Sequence, residues 1–204
     1  MAPAGRPRSF DKALALRNAM YVFWAKGYEG TTMSDLVEAI GVKGPSVYAA
    51  FGNKDSIFVE AVKEYSDMML SGPLKALTEE PDIYQAIKKL LEANLEFFMN
   101  SANPRGCLIM TSAINATPEH AELVNFVRTY REDYKERLVK RFELALLEKQ
   151  IRNGSNPSDL AEYYLLVIHG MALRAKDGSA LNQLSKVVEI SLCGLRDHLE
   201  IAEQ

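Results

Sequence analysis

Cysteine is scarce in this chain of 204 residues, which excludes a small fold held together by a disulfide framework. Cys107 and Cys193 are its two cysteines, and no secretory segment opens the sequence. Long hydrophobic runs are missing as well. The longest, residues 163–173, contains His169 and Gly170 and is too short to span a bilayer. We therefore expect a cytoplasmic protein with no membrane partner.

The recurring motifs of enzymes are also lacking. The chain has no HExxH zinc motif, no CxxC pair, no nucleophile elbow and no glycine loop that cradles phosphate. Its three histidines, His120, His169 and His198, lie far apart in the sequence. We expect neither an enzyme nor a bound metal or cofactor. A small-molecule enzyme with a site assembled from distant residues stays open as an alternative.

Strand alternation and internal repeats are absent, whereas apolar residues recur every three to four positions along most of the chain. This period is typical of amphipathic helices, and glycine and proline interrupt it near residues 72–73, 103–106 and 153–157. The pattern predicts an all-α fold of about nine helices. The longest is expected from Thr117-Pro118 to near Lys149.

Charge is distributed unevenly along the chain. The net charge of −3 by itself argues against a nucleic-acid partner. Up to Lys54, however, seven Lys/Arg stand against four Asp/Glu, so this part carries +3 and the remainder −6. A basic head on an acidic body suits a protein that touches phosphate with one end only.

The segment 31–58 contains the signals of two short helices and of the start of a third, longer one that runs from Asn53 towards Leu70. Thr32 is an N-cap type with Asp35 three residues later, an arrangement like a capping box. Gly41 can end that helix in a left-handed conformation, and Asn53 can cap the third helix. Between them lies a short, polar-faced helix at 43–50. This is the plan of the helix-turn-helix motif, whose second helix enters the DNA major groove.

The same segment resembles a specific family. GVKGPSVYAAFGNKDSIF is similar to the most diagnostic stretch of the TetR/AcrR family of bacterial transcriptional regulators, and FWAKGYEGTTM resembles the sequence just before it. The resemblance covers roughly residues 6–58. It implies a ligand-released repressor that binds a palindromic operator in double-stranded DNA as a homodimer. Lys43 stands where many members carry a small polar residue, so the bases that are read cannot be inferred from the family.

Several residues of the first 54 are expected to contact DNA. Tyr48 and Lys54 resemble the family residues that hold the phosphate backbone, and Lys43 and Ser46 lie at the start of the recognition helix. Gly44 and Pro45 would shape the backbone for close approach, while the arginines of the N-terminal arm would enter the minor groove. The predicted DNA-binding set is Arg6, Arg8, Thr32, Lys43, Gly44, Pro45, Ser46, Tyr48 and Lys54.

Each of these residues also has a purely structural interpretation. Thr32 would then only cap its helix, Lys43 and Lys54 would be solvated, and Tyr48 would pack against the core. The arm would simply be disordered. For any one of these residues the structural interpretation would be preferred. DNA contact is favoured because all of them occur together in one helix-turn-helix motif.

The helical body is predicted to bind an unknown small-molecule effector between its middle helices, because ligand pockets are mostly apolar with a few polar groups. An ordinary core with tyrosines at its margin would have the same composition. The candidate ligand-binding residues are Phe97, Phe98, Cys107, Met110, Thr111, Asn115, Tyr130, Tyr134, Tyr164 and His169. The start of a short helix and a nearby arginine would favour the reactive thiolate of Cys107. Burial of Cys107 as a small apolar residue of the core is the favoured interpretation, and Cys193 is expected to be inert because it lies within an apolar helix face.

The last two helices are predicted to form the dimer interface, because their wide apolar faces would otherwise be exposed at a chain end. In the family, the corresponding helices pair with their copies in a four-helix interface. The residues expected in this seam are Leu184, Val188, Leu192, Leu195 and Leu199. The alternative is that these residues pack within one chain.

The predicted organisation has two domains: residues 1–54 form the arm and DNA-binding domain, and residues 55–204 form the ligand-binding and dimerisation domain. The alternative function, from a different class, is a helical protein-interaction module in which the DNA-binding motif is incidental. A DNA titration at stated salt separates the two.

Overall fold

Ten α-helices account for most of the described chain. The computed structural model describes residues 10–112 and 117–200. The helices are α1 Lys12–Lys26, α2 Met33–Ile40, α3 Gly44–Phe51, α4 Lys54–Ser71, α5 Ala76–Glu79, α6 Ile83–Met99, α7 Leu108–Thr111, α8 Ala121–Leu147, α9 Pro157–Lys176 and α10 Leu181–Arg196. Short 3-10 helices at Pro73–Lys75 and Pro118–His120 precede α5 and α8.

The predicted all-α class is confirmed. Within residues 10–112 and 117–200 the only extended pairing is an isolated bridge between Ile151 and Leu199. The described ranges contain one helix more than predicted, because α5, which has four residues, was not predicted. One helical turn is too short to show a 3.6-residue period in the sequence.

The head consists of α1, α2 and α3, and α4 connects it to the body formed by α5–α10. Aromatic contacts fasten α4 to α1: Phe23 and Phe58 have ring centroids 5.1 Å apart, and Trp24 and Tyr65 4.8 Å apart, both edge to face. Buried aromatic pairs of this kind add to the stabilisation from burial alone. The Trp24 indole N–H also donates to the Gly106 carbonyl oxygen at 3.1 Å.

The body is arranged around α6, which packs against α8, α9 and α10. The far end of α4 reaches the body and contacts α7 and α8. The boundary predicted at Lys54 coincides with the first residue of α4. Since α4 packs against both parts, it is a continuous rod between them, and the exact division into domains stays a prediction.

No helix in the described ranges is both long enough and apolar enough to cross a membrane. Within the same ranges, no group of three or more His, Cys, Asp or Glu side chains is placed to hold a metal ion.

Candidate functional site

The entry to the helix-turn-helix is built by local hydrogen bonds. Thr32 Oγ1 accepts from the Asp35 backbone N–H at 3.1 Å, and Asp35 Oδ2 accepts from the Thr32 backbone N–H at 2.8 Å. The ion pair with Lys26, at 2.7 Å, and the Thr32 hydrogen bonds lower the pKa of Asp35 to about 2. Thr32 therefore caps α2, as one of its two interpretations requires, and its side chain is also exposed.

The turn between α2 and α3 depends on glycine. Gly41 has φ 76° and ψ 19°, the left-handed conformation that costs a side-chain-bearing residue free energy. A Cβ placed on Gly41 would meet no atom within 4 Å. Glycine is thus required here for its backbone conformation and not for space.

The recognition helix α3 presents a mixed face to solvent. Val47 and Phe51 are buried and anchor it. Lys43, Pro45 and Ser46 are exposed, as is Tyr48, whose exposed fraction is 52%. A tyrosine that served only to pack the core would not leave half its surface in water, so the packing interpretation of Tyr48 is wrong. Gly44, the remaining predicted residue of this helix, is partly buried.

Lys54 is placed by an aromatic contact rather than left free in solvent. Its Nζ lies 4.1 Å from the ring centroid of Tyr28, within the range of a cation–π interaction. The Tyr28 hydroxyl donates to Asp55 and lies 3.3 Å from Nδ1 of His120, at the start of α8. This cluster ties the first residue of α4 to the body. Sequence analysis missed Tyr28, because these contacts join residues far apart in the chain.

Three predicted residues fall outside the described ranges. Arg6 and Arg8 of the N-terminal arm precede residue 10, and Asn115 lies between residues 112 and 117.

A cavity of about 40 Å³ lies in the body between α4, α6, α7, α8 and α9. Its walls are mostly apolar side chains with a small group of polar ones. Six of the predicted ligand-binding residues line it, namely Phe98, Cys107, Met110, Tyr130, Tyr134 and His169. Sequence analysis missed two others at its buried end, Tyr65 and Asn94. Asn94 could have been recognised from the sequence, because it is a polar residue within the apolar stripe of α6. Tyr65 has no comparable feature in the sequence.

Three predicted ligand-binding residues do not line the cavity, so these assignments are wrong for this site. Phe97 stacks on Trp24 with centroids 5.5 Å apart. The Thr111 hydroxyl donates to the Cys107 carbonyl oxygen at 2.9 Å. The Tyr164 hydroxyl donates to the Ser191 carbonyl oxygen at 3.0 Å. Each was predicted because it is aromatic or polar on a middle helix, and each is engaged elsewhere by tertiary contacts.

Burial favours the neutral form of three ionisable side chains in the cavity wall. Burial, with a contribution from Arg131, lowers the pKa of His169 to about 4, so this histidine is neutral near pH 7. Burial raises the pKa of Tyr65 and of Tyr134. Arg131 donates to the Ile109 carbonyl oxygen at 3.0 Å and is partly buried.

Of the two interpretations of Cys107, burial as a small apolar residue agrees with the structure, and the reactive thiolate does not. Burial raises the pKa of its thiol and outweighs the opposing effects of Tyr65, the backbone N–H groups of α7 and Arg131. The inertness predicted for Cys193 is wrong in its premise, because this residue is exposed.

We expect Cys193 to be alkylated by iodoacetamide at neutral pH at least about tenfold faster than Cys107, because reaction of a buried thiol must wait for local opening. Mass spectrometry of peptides from a native time course measures the two rates. Repeating the reaction in denaturant is the control, in which the rates should converge. Faster modification of Cys107 in the native protein would contradict the buried assignment.

The residues predicted for the dimer seam lie mostly inside the monomer. Leu184, Val188, Leu192 and Leu195 are buried on the side of α10 that packs against α6, and Leu199 is partly buried. The specific prediction is therefore wrong, and the intramolecular alternative describes these leucines. The exposed apolar residues of the same two helices are different ones: Tyr163, Leu166 and Leu173 on α9, and Leu181, Val187 and Ile190 on α10.

Comparison with known proteins agrees with this architecture. The sequence model of the bacterial regulatory proteins of the tetR family matches residues 15–61. The chain is 31% identical over 193 residues to the HTH-type transcriptional repressor ComR of Escherichia coli strain K12, covering 92% of this chain and 90% of ComR. It is 28% identical to the uncharacterized HTH-type transcriptional regulator YezE of Bacillus subtilis strain 168, covering 92% of this chain and 97% of YezE.

A similar solved structure is a cysteine mutant of the TetR family transcriptional regulator CifR in complex with 26-bp double-strand operator DNA. It has a TM-score of 0.88 and 32% identity, covering 93% of this chain and 98% of that one. The chain belongs to the tetR family of bacterial regulatory proteins, which confirms the resemblance seen in its helix-turn-helix. It is a helix-turn-helix transcriptional regulator.

Proposed function

We propose that this protein is a transcriptional repressor that binds a palindromic operator as a homodimer and is released by a small-molecule effector. The observation that carries the proposal is the exposed surface of α3, where Ser46 and Tyr48, together with Lys43 at the N-cap, lie in solvent while Val47 and Phe51 anchor the helix. The similar protein CifR, whose structure contains operator DNA, supports operator binding by this chain. Selection of bound fragments from a random DNA library tests the proposal and yields the operator.

In this proposal, residues of α2, α3 and α4 have separate roles in DNA binding. Lys54 and Tyr48 hold phosphates, and Thr32 adds a hydroxyl at the start of α2, while Lys43 and Ser46 read base edges. Gly44 and Pro45 bring the backbone of α3 close to the groove. Arg6 and Arg8 reach the minor groove from the arm.

Replacement of the phosphate contacts is expected to weaken binding to all DNA sequences alike. Lys54→Ala should also reduce the slope of log affinity against log salt by about one unit, whereas Tyr48→Phe removes no charge and should leave the slope unchanged. Lys63→Ala, at an exposed position farther along α4, is the matched control. Titration of operator and random duplexes at several salt concentrations measures both effects. An unchanged slope for folded Lys54→Ala would contradict its role.

Replacement of the base-reading residues should instead change which sequences are preferred. Lys43→Ala and Ser46→Ala are each expected to relax discrimination at one or two positions of each half-site, by about 1–3 kcal/mol for a well-formed contact. Repeating the fragment selection with each variant measures this change. If a variant selects the same operator as the parent protein, that residue does not read bases.

The effector is proposed to act through α4. This helix carries Lys54 at one end and Tyr65 and Met69, two residues of the cavity wall, towards the other. An occupant that displaces α4 shifts Lys54 relative to the operator. Release requires that the effector bind the DNA-incompetent arrangement more tightly, since a ligand shifts an equilibrium only by its difference in affinity for the two states.

A further inference from the structure

The buried end of the cavity contains two polar atoms that lack partners. Tyr65 and Asn94 have no exposed surface. Among residues 10–112 and 117–200, Asn94 Oδ1 has no hydrogen-bond partner, and Tyr65 Oη has none with good geometry, although the Cys107 thiol and the Leu108 backbone N–H lie close to it. The great majority of buried polar atoms in proteins are hydrogen-bonded. Two orphaned atoms in side chains that line one cavity therefore point to an occupant that pairs with them.

The orientation of the Asn94 amide specifies what that occupant must supply. Asn94 Nδ2 donates to the Leu90 carbonyl oxygen at 2.8 Å and to Tyr134 Oη at 3.0 Å. The Leu90 carbonyl can only accept, so it distinguishes the amide nitrogen from the oxygen. Asn94 Oδ1 is consequently an acceptor without a donor. A ketone, an ether or a carboxylate cannot satisfy it.

The neighbouring phenols supply the complementary group. Burial raises the pKa of the Tyr65 hydroxyl, so it keeps its proton and can donate. Tyr134 Oη already accepts from Asn94, which leaves its own proton to donate as well. The end of the cavity thus offers phenolic donors beside an amide acceptor. Water meets both requirements, and an effector that replaces this water must do the same. The smallest organic group that does so is a hydroxyl, which accepts from a phenol and donates to Asn94.

The rest of the wall excludes charge at this end. His169 is neutral near pH 7, and Met69, Leu70, Phe98 and Ile168 make most of the remaining surface apolar. Two charged residues also line the cavity: Asp133, which is exposed, and Arg131, which is the one feature that would attract an anion. A carboxylate paired with Arg131 would leave Asn94 Oδ1 without a donor.

From these contacts we propose that the effector is a compact, uncharged alcohol or phenol whose hydroxyl bridges Asn94 and Tyr65 and whose apolar body packs against Phe98 and Ile168. This inference rests on the proposed effector site. A volume of about 40 Å³ accommodates roughly three water molecules, whereas an engineered cavity that binds benzene measures about 150 Å³. A ring-sized alcohol must therefore push the walls apart, and one of those walls is α4.

Three probes of equal ring size separate the possible ligand classes: cyclohexanol, cyclohexanone and cyclohexanecarboxylate. Trp24 is the only tryptophan, and its ring meets that of Tyr65 at 4.8 Å, so its fluorescence reports on the cavity in the full-length protein without DNA. We expect cyclohexanol to bind at least about tenfold more tightly than either other probe, because only it supplies a donor to Asn94. Equal or tighter binding of the ketone or the carboxylate overturns the proposal. Failure of all three to bind overturns it too.

Two substitutions test whether the preference for cyclohexanol arises from Asn94. Asn94→Leu, of similar volume, should abolish the preference for cyclohexanol over cyclohexanone. Tyr164→Phe removes a buried tyrosine hydroxyl outside the cavity and should preserve it. Circular dichroism checks that each variant folds. If Asn94→Leu does not fold, Tyr65→Phe provides the second test and should weaken binding of cyclohexanol. Retention of full affinity and preference in a folded cavity variant would contradict the assignment.

Titration of the operator with and without cyclohexanol tests separately whether the bound alcohol releases the protein from DNA. Cyclohexanol should lower the operator affinity of the parent protein. If it binds with the expected preference but leaves operator affinity unchanged, the ligand class is supported and only the release mechanism fails.

Discussion

Replacement of Leu166 and Ile190 together by glutamate is expected to convert the protein into monomers that no longer bind a palindromic operator. These residues lie on the outward faces of α9 and α10, with exposed fractions of 59% and 71%. Exposed apolar residues clustered on adjacent helices mark an interaction surface. In the proposed dimer, each copy meets the same face of the other, so two substitutions place four carboxylates in one seam.

The arrangement of this face supports its role. On α9, Tyr163, Leu166 and Leu173 are exposed and follow one another at intervals of three or seven residues, with exposed Gly170 in the same row. Val187 and Ile190 continue the apolar surface on α10. Side chains of this spacing lie on one side of a helix, and a glycine in the row permits close approach of a partner helix.

Sedimentation velocity at several protein concentrations measures the expected dissociation. Leu14→Glu is the matched control, since Leu14 is exposed to a similar extent, 57%, but belongs to α1 in the head. It should leave the dimer intact. A dimer that survives Leu166→Glu with Ile190→Glu would place the interface elsewhere on the molecule.

The second large effect is expected on the opposite face of α10. Leu195 is 0% exposed and lies in the monomer core. Leu195→Ala should lower the free energy of unfolding by about 2–5 kcal/mol, since it removes buried methyl groups and leaves a cavity. For a chain of this size, the loss corresponds to a fall in melting temperature of roughly 5–15 °C.

Chemical denaturation at fixed protein concentration measures this loss, because the stability of a dimer depends on concentration. Leu14→Ala is the control and should change stability by less than about 0.5 kcal/mol. If Leu195→Ala instead weakened dimerisation without destabilising the folded chain, Leu195 would belong to the seam after all. The two predictions therefore assign the two faces of one helix separately.

The helix-turn-helix could be predicted from the sequence because its determinants are local. Thr32 and Asp35 cap α2 through bonds that span three residues, Gly41 supplies a backbone conformation, and Asn53 caps α4 through the Ser56 N–H at 2.9 Å. Each signal acts within one turn of the chain. The family resemblance covers the same segment, so the class of protein could be recognised before any tertiary contact was known.

The cavity could be predicted only in part. The periodicity of apolar residues identifies the buried face of a helix. An aromatic side chain on that face can either line a cavity or fill the core. Phe98 lines the cavity, whereas its neighbour Phe97 packs on Trp24. Asn94 and Tyr65 come from α6 and α4, and their role depends on how these two helices meet. No spacing within either helix contains that information.

What the sequence determined by itself is the all-α class, the helix-turn-helix and the family, because these follow from periodicity and short-range capping. The tertiary structure alone decided which face of each body helix is covered. The stronger apolar stripe of α10, with Leu184, Leu192 and Leu195, is buried against α6 within the monomer. The weaker apolar surface, with Val187 and Ile190, stays exposed in the monomer. Sequence periodicity shows that a helix has an apolar face, but which face is covered depends on how the helices pack against one another.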